Sequence, residues 1–103
     1  MDDEWIYDAM RWRLIAPGGR GLQLSLIESQ LIACLLSRCG EVVTREELLR
    51  CLYQPCTETR SRNLDVVVSR LRKKVESRCG QKLPVGTARG LGYVFVARGS
   101  VVK

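Results

Sequence analysis

The segment RNLDVVVSRLRKKVESR, residues 62–78, constrains the fold more than any other part of the chain. At about 100° per residue around an α-helix, Leu64, Val68, Leu71 and Val75 gather within an arc of roughly 60°, a stripe that must lie on a core. Arg62, Val66, Ser69, Arg70 and Lys73 take the opposite arc, with Asn63 at its edge. No group buried in the same domain can neutralise that outer face. Any fold of this chain must press the helix by one side against a core and leave its basic side to solvent or to a partner.

The rest of the chain has to supply that core. Its 103 residues suffice for one domain and one modest hydrophobic interior. In LSLIESQLIACLLSRCG, Ser25 followed by Glu28 predicts a capping box, and Leu24, Ile27, Leu31, Ile32, Leu35 and Leu36 form a broad apolar face over a helix at about 25–38. Thr44 and Glu47 predict a second box, opening a helix at about 45–53 whose buried side is Leu48, Leu49, Leu52 and Tyr53. Pro55, in QPCTET, ends it. The basic helix then occupies about 60–78.

Extended segments flank the helices. Met10, Trp12 and Leu14 alternate with Arg11 and Arg13, the PGG of 17–19 is a turn signal, and Leu22 and Leu24 resume the alternation, so 10–24 reads as a hairpin. Trp5 and Tyr7 suggest another short strand. Near the end, KLPVGT and YVFVA read as strands around the glycine-rich ARGLG. Arg89 is the only charged side chain at that tip, placed as a finger suited to a narrow minor groove.

Charge narrows the function. Residues 1–59 carry a balance of −3 and residues 60–89 one of +7, within a total of +6. Such asymmetry points to a polyanion. Arginine, asparagine and a short apolar side chain on one outward face suit the edges of guanine, adenine and thymine in the DNA major groove. A membrane surface fits less well, because the exposed arc offers only Val66 as an apolar anchor. No apolar run approaches the roughly 20 residues of a membrane span. The acidic MDDEWIYDAM lacks the features of a signal peptide, so a cytoplasmic location is expected.

Catalysis and metal binding find little support. There is no histidine, no nucleophile elbow and no recognisable carboxylate pair, so the chain is expected not to be an enzyme. Five cysteines without a C-x-x-C do not make a zinc site, and no cofactor is expected. Cys34 and Cys51 fall inside apolar helical patterns, where a reduced thiol behaves as a small core residue. Cys56, in a loop, is the thiol expected to be exposed. The tetrapeptide SRCG, at 37–40 and 77–80, closes a periodic segment each time, so Gly40 and Gly80 are expected as helix C-caps.

The succession LSLIESQ, GEVVTREELL, RNLDVVVSRLRKKVE and TARGLGYVF resembles the OmpR/PhoB-type winged-helix effector domain of bacterial response regulators. The resemblance runs from Trp5 to Ala97. Its most specific part is D-x-x-x-S-R-L-R-K-K followed some 12 residues later by T-x-R-G-x-G-Y. It implies an α+β winged helix-turn-helix: an N-terminal antiparallel sheet at about 4–24, three helices, and a wing hairpin at about 83–97. It also implies base-edge contacts from Asn63, Asp65, Val66 and Arg70, phosphate contacts from Arg62, Ser69 and Lys73, and a minor-groove contact from Arg89. Arg72 and Lys74 match the pattern but lie off the outer face, so any contact of theirs is peripheral. Val67 stands where many members carry a phosphate-touching histidine, and Ala88 replaces the usual valine.

The implied partner is double-stranded DNA, bound by two copies on tandem half-sites. In this family the loop after the second helix can also touch RNA polymerase. Here it is QPCTET, short and nearly uncharged, and is assigned no activating role. The family's receiver domain is absent from this sequence. A winged-helix module that docks on an acidic protein partner remains as the alternative.

Overall fold

The computed structural model describes residues 4–52 and 60–103, and of residues 60–63 the backbone alone. Tyr53, the QPCTET loop with Cys56, and the side chains of Arg62 and Asn63 therefore lie outside the described residues; the second helix, expected to reach 53, ends at Cys51 with Leu52 extended as its C-cap.

Among the described residues, seven strands and three helices follow in the order β1 (Trp5–Asp8), β2 (Arg13–Ile15), β3 (Gly21–Gln23), α1 (Leu26–Ser37), β4 (Val42–Thr44), α2 (Arg45–Cys51), α3 (Arg60–Cys79), β5 (Val85–Ala88), β6 (Gly92–Phe95) and β7 (Gly99–Val102). They form two sheets, β3-β2-β1-β7 and β4-β6-β5. Helix α1 packs against α2, α3, β1, β6 and β7, so the core lies around it. Fully buried side chains include Leu14, Ile32, Leu35, Leu48 and Phe95, and the α3 stripe Leu64, Val68, Leu71 and Val75 joins them. Trp5 meets Phe95 edge-on, with ring centroids 6.2 Å apart.

Both capping boxes form. Ser25 Oγ accepts from the Glu28 amide while Glu28 accepts from the Ser25 amide, and Thr44 and Glu47 repeat the arrangement. Each box satisfies two backbone donors that a helix start would otherwise leave unpaired. Gly80 directly follows α3 with a φ of +74°, and its amide bonds the Glu76 carbonyl at 3.0 Å, the left-handed geometry of a C-terminal stop. Gly40 is not the expected cap of α1: the helix is capped by Arg38, and Gly40, with a φ of +86°, lies two residues further on, where its amide bonds the Phe95 carbonyl at 3.0 Å.

The hairpin expected over 10–24 is shorter at its start. Strand β2 begins at Arg13, and Met10 to Trp12 form a turn after β1 rather than a strand. Asp8 Oδ1 accepts from the amides of Met10 and Arg11, at 3.0 and 3.3 Å, and Trp12 takes a φ of +53°. A carboxylate that bonds amides two and three residues onward offers the backbone a turn in place of a ladder. Met10 is consequently exposed.

Three further features depend on distant partners. Strand β4 pairs antiparallel with β6, from Val42 opposite Val94 to Thr44 opposite Gly92. Strand β7 pairs parallel with β1, from Trp5 opposite Gly99 to Asp8 opposite Val102. Of the two cysteines expected in the core, Cys34 is only half-buried and Cys51 is exposed; among the described cysteines the buried one is Cys79. Two-turn α2 reaches the core through Leu48 and, just past its end, Leu52, four residues apart on one side, which leaves Cys51 at the rim.

Candidate nucleic-acid interface

Helix α3 is fixed on three sides and open on the fourth. Toward α2, the Arg45 guanidinium bonds Asp65 at 2.9 and 3.4 Å, and the Tyr93 hydroxyl of β6 donates to the same carboxylate. Toward β5, Arg72 Nη2 donates to the Val85 carbonyl at 2.6 Å and to Thr87 Oγ1 at 3.3 Å, with its guanidinium carbon 6.0 Å from the centre of the Tyr93 ring. Toward α1, Lys74 Nζ sits 2.9 Å from Glu28 Oε1, the carboxylate that also closes the α1 capping box. Arg72 and Lys74 are thus committed to holding the helix, in line with their position off the outer face.

What remains outward is Val66, Ser69, Arg70 and Lys73, all exposed. Among the described residues, no hydrogen bond or ion pair ties Arg70 or Lys73 to the rest of the domain. Val67 is partly buried and packs on the core rather than facing out. The backbone of residues 62 and 63 continues the same helix toward its N-terminus.

The wing is joined to α3 through Arg72 and Asp65. Strands β5 and β6 pair from Val85 opposite Phe95 to Ala88 opposite Gly92, and Arg89, Gly90 and Leu91 form the connecting turn. The Leu91 amide bonds the Ala88 carbonyl at 2.8 Å, and Gly90 supplies the positive φ, +74°, that closes the loop. Gly92 has a different duty. A Cβ there would sit 2.0 Å from the Val43 carbonyl oxygen, so only glycine lets β6 cross β4 this closely. The Arg45 amide bonds the Leu91 carbonyl at 2.9 Å and ties the wing tip to the start of α2. Arg89 is exposed at the tip.

The Arg45–Asp65–Tyr93 cluster is the part of the site that sequence reasoning missed. Arg45 first, and then the Tyr93 hydroxyl, hold the Asp65 carboxyl below the usual carboxylate range. Burial first, and then the bond to Asp65, push the Tyr93 phenol up. One carboxylate therefore joins α2, α3 and the wing. Its only trace in the sequence is an acid, one of two in α3, set in a basic segment, which by itself names no partner.

The surroundings bear on other chemistries. Among the described residues, no group of three or more His, Cys, Asp or Glu is placed to hold a metal ion. No helix among them is long and apolar enough to cross a membrane.

With this geometry the chain matches known proteins over most of its length. Residues 19–95 match the family described as "Transcriptional regulatory protein, C terminal". The regulatory protein VirG of Agrobacterium fabrum is 34% identical over 94 residues, which cover 91% of this chain and 37% of VirG. The chain thus spans little more than a third of that relative's length. Among solved structures, the DNA-binding domain of the response regulator AdeR in complex with an intercistronic region superposes with a TM-score of 0.77 at 26% identity, covering 93% of this chain and 97% of that one. The RstA DNA-binding domain of Klebsiella pneumoniae in complex with the RstA box gives 0.72 at 26% identity, over 93% and 94% of the two chains. The chain belongs to the OmpR/PhoB-type winged-helix DNA-binding domains, the C-terminal effector domains of bacterial response regulators.

Proposed function

We propose that this domain binds double-stranded DNA sequence-specifically, with α3 in the major groove and the wing in the minor groove, as the output unit of a bacterial transcriptional regulator. The observation that carries the reading is the outward stripe of α3: Arg70 and Lys73 lie opposite the buried Leu64, Val68, Leu71 and Val75 and have no internal partner among the described residues. Arg70 and Val66, with Asn63, meet base edges; Ser69 and Lys73, with Arg62, meet phosphates; Arg89 enters the minor groove. Asp65, which the family resemblance assigns to a base contact, is engaged by Arg45 and Tyr93, and we read it first as a positioning residue. The domain acts in the cytoplasm, takes no catalytic part, and occupies tandem half-sites as two copies about one helical turn apart, which puts both α3 helices on one DNA face. A polymerase contact through residues 54–59 falls outside the described residues and is not assigned.

The test is a selection of random duplexes on the purified domain at physiological salt. Enrichment of a short motif repeated at about 10–10.5 bp supports the reading. Binding without enrichment that vanishes as salt rises refutes it and favours docking on an acidic protein. On the selected site, Arg70→Ala costs about 1–3 kcal/mol and relaxes one base pair, whereas Lys73→Ala weakens all sequences alike and lowers the salt slope by about one. Equal losses on selected and random DNA in both variants refute readout by Arg70.

A further inference from the structure

Away from α3 and the wing, two thiols face each other across the α1–α2 contact. The Sγ atoms of Cys34, on α1, and Cys51, the last residue of α2, lie 2.8 Å apart. Both line a shallow surface hollow shared with Gln30 and Ala33, so the pair is open to a small solute. The other two described cysteines are placed differently. Cys39 donates to the Ala97 carbonyl at 2.7 Å, and buried Cys79 reaches the Arg20 carbonyl at 3.7 Å. A disulfide's S–S distance is about 2.05 Å, so the facing pair needs to close by only about 0.8 Å.

We propose that Cys34 and Cys51 are a reversible thiol modification site, forming an intramolecular disulfide on encounter with a low-molecular-weight disulfide such as oxidised glutathione. The order of events follows from exposure. Cys51, the exposed thiol, loses its proton to solvent and attacks one sulfur of the oxidant, releasing one small thiol and leaving a mixed disulfide on Cys51. Cys34 then gives up its proton and attacks Cys51 Sγ, releasing the second small thiol. The protein loses two protons and two electrons, and one disulfide is reduced to two thiols. Burial, and then the hydrogen bond shared with Cys51, push the Cys34 thiol up to about 12, so Cys34 keeps its proton until the second step. Contact between the sulfurs offsets that low thiolate fraction by making the step intramolecular. The bond staples the end of α2 to α1, and α2 is a two-turn helix with Leu48 as its one buried residue.

The experiment uses the full chain carrying Cys56→Ser, because Cys51 and Cys56 both lie between Arg50 and Arg60 and share a tryptic peptide. The protein is oxidised with oxidised glutathione under native conditions, remaining thiols are alkylated, and tryptic peptides are sequenced by mass spectrometry without reduction. The expected result is one cross-link, between the peptides holding Cys34 and Cys51, reversed by dithiothreitol and abolished by a further Cys51→Ser change. The oxidised protein should melt on the order of 10 °C higher than the reduced one, because the bond restricts the unfolded chain. Stable glutathione adducts on either thiol, cross-links to Cys39 or Cys79, a Cys34–Cys51 link that forms only in urea, or an oxidised form that melts lower would each overturn the proposal.

Discussion

Asp65→Ala tests the positioning role more sharply than any change at the outward arginines. The substitution removes the acceptor of the Tyr93 hydroxyl and the partner of Arg45. The ion pair is largely in solvent, with side-chain exposures of 38% and 61%, so it contributes about 1 kcal/mol at most. Tyr93 is buried, and its hydroxyl left without an acceptor costs about 1–3 kcal/mol. The expected loss is about 1–4 kcal/mol, a fall in Tm of roughly 5–30 °C for a domain of this size. Tyr93→Phe removes the donor and strands no buried group, since Asp65 stays exposed. A double-mutant cycle between the two should therefore show a coupling of about 1 kcal/mol or more. DNA affinity gives the second readout. Asp65 is one of two acids in α3, so its removal should leave binding to random duplexes no weaker in the folded fraction. A melting temperature within two or three degrees of the parent, with near-zero coupling to Tyr93 and a lost preference at one base pair, would show that Asp65 reads a base instead. The same tie gives acid sensitivity a sign. Because the folded carboxyl sits below its ordinary value of 3.8, the stabilisation is present above that pH and is lost as pH falls through the folded value. Asp65→Ala should remove that part of the acid transition.

Leu71→Ala, at a fully buried position on the core side of α3, should destabilise by about 2–5 kcal/mol while leaving the outward contacts of the folded fraction unchanged, as urea unfolding would measure. Gly92→Ala sets a methyl 2.0 Å from the Val43 carbonyl, so the wing must separate from β4; amide exchange in β4 and β6 should rise together, and unchanged protection would contradict the packing described. Arg89→Ala should leave the melting temperature unchanged and lower affinity most for selected sites with an A·T-rich minor groove beside the α3 contact, read by fluorescence anisotropy on paired duplexes.

Much of this molecule is legible in the order of its residues because the responsible forces act within a few positions. Ser25 with Glu28, and Thr44 with Glu47, satisfy their own helix starts, and Gly80 stops α3 through its own backbone angle. The spacing of Leu64, Val68, Leu71 and Val75 suffices to turn Arg70 and Lys73 outward, whatever the core is made of. The turn at Met10 to Trp12 shows the limit of that reasoning. Period-two alternation was present, but Asp8 captured the amides that a strand would have used.

Other features were decided only when distant segments met. Nothing near GSVV indicates that it pairs with the strand opened by Trp5; a Cβ at Gly99 would meet Leu36 Cδ2 at 2.3 Å, so a larger residue there would have to move that side chain. Val42 to Thr44 become a strand because β6 offers them a ladder. Asp65 acquires two partners from α2 and β6, and Cys51 faces Cys34 rather than the core, through packing angles between helices that no local pattern encodes. Helix caps, turns and amphipathic faces are properties of neighbouring residues, whereas sheet partners and side-chain clusters belong to the assembled core, which alone sets which surfaces touch.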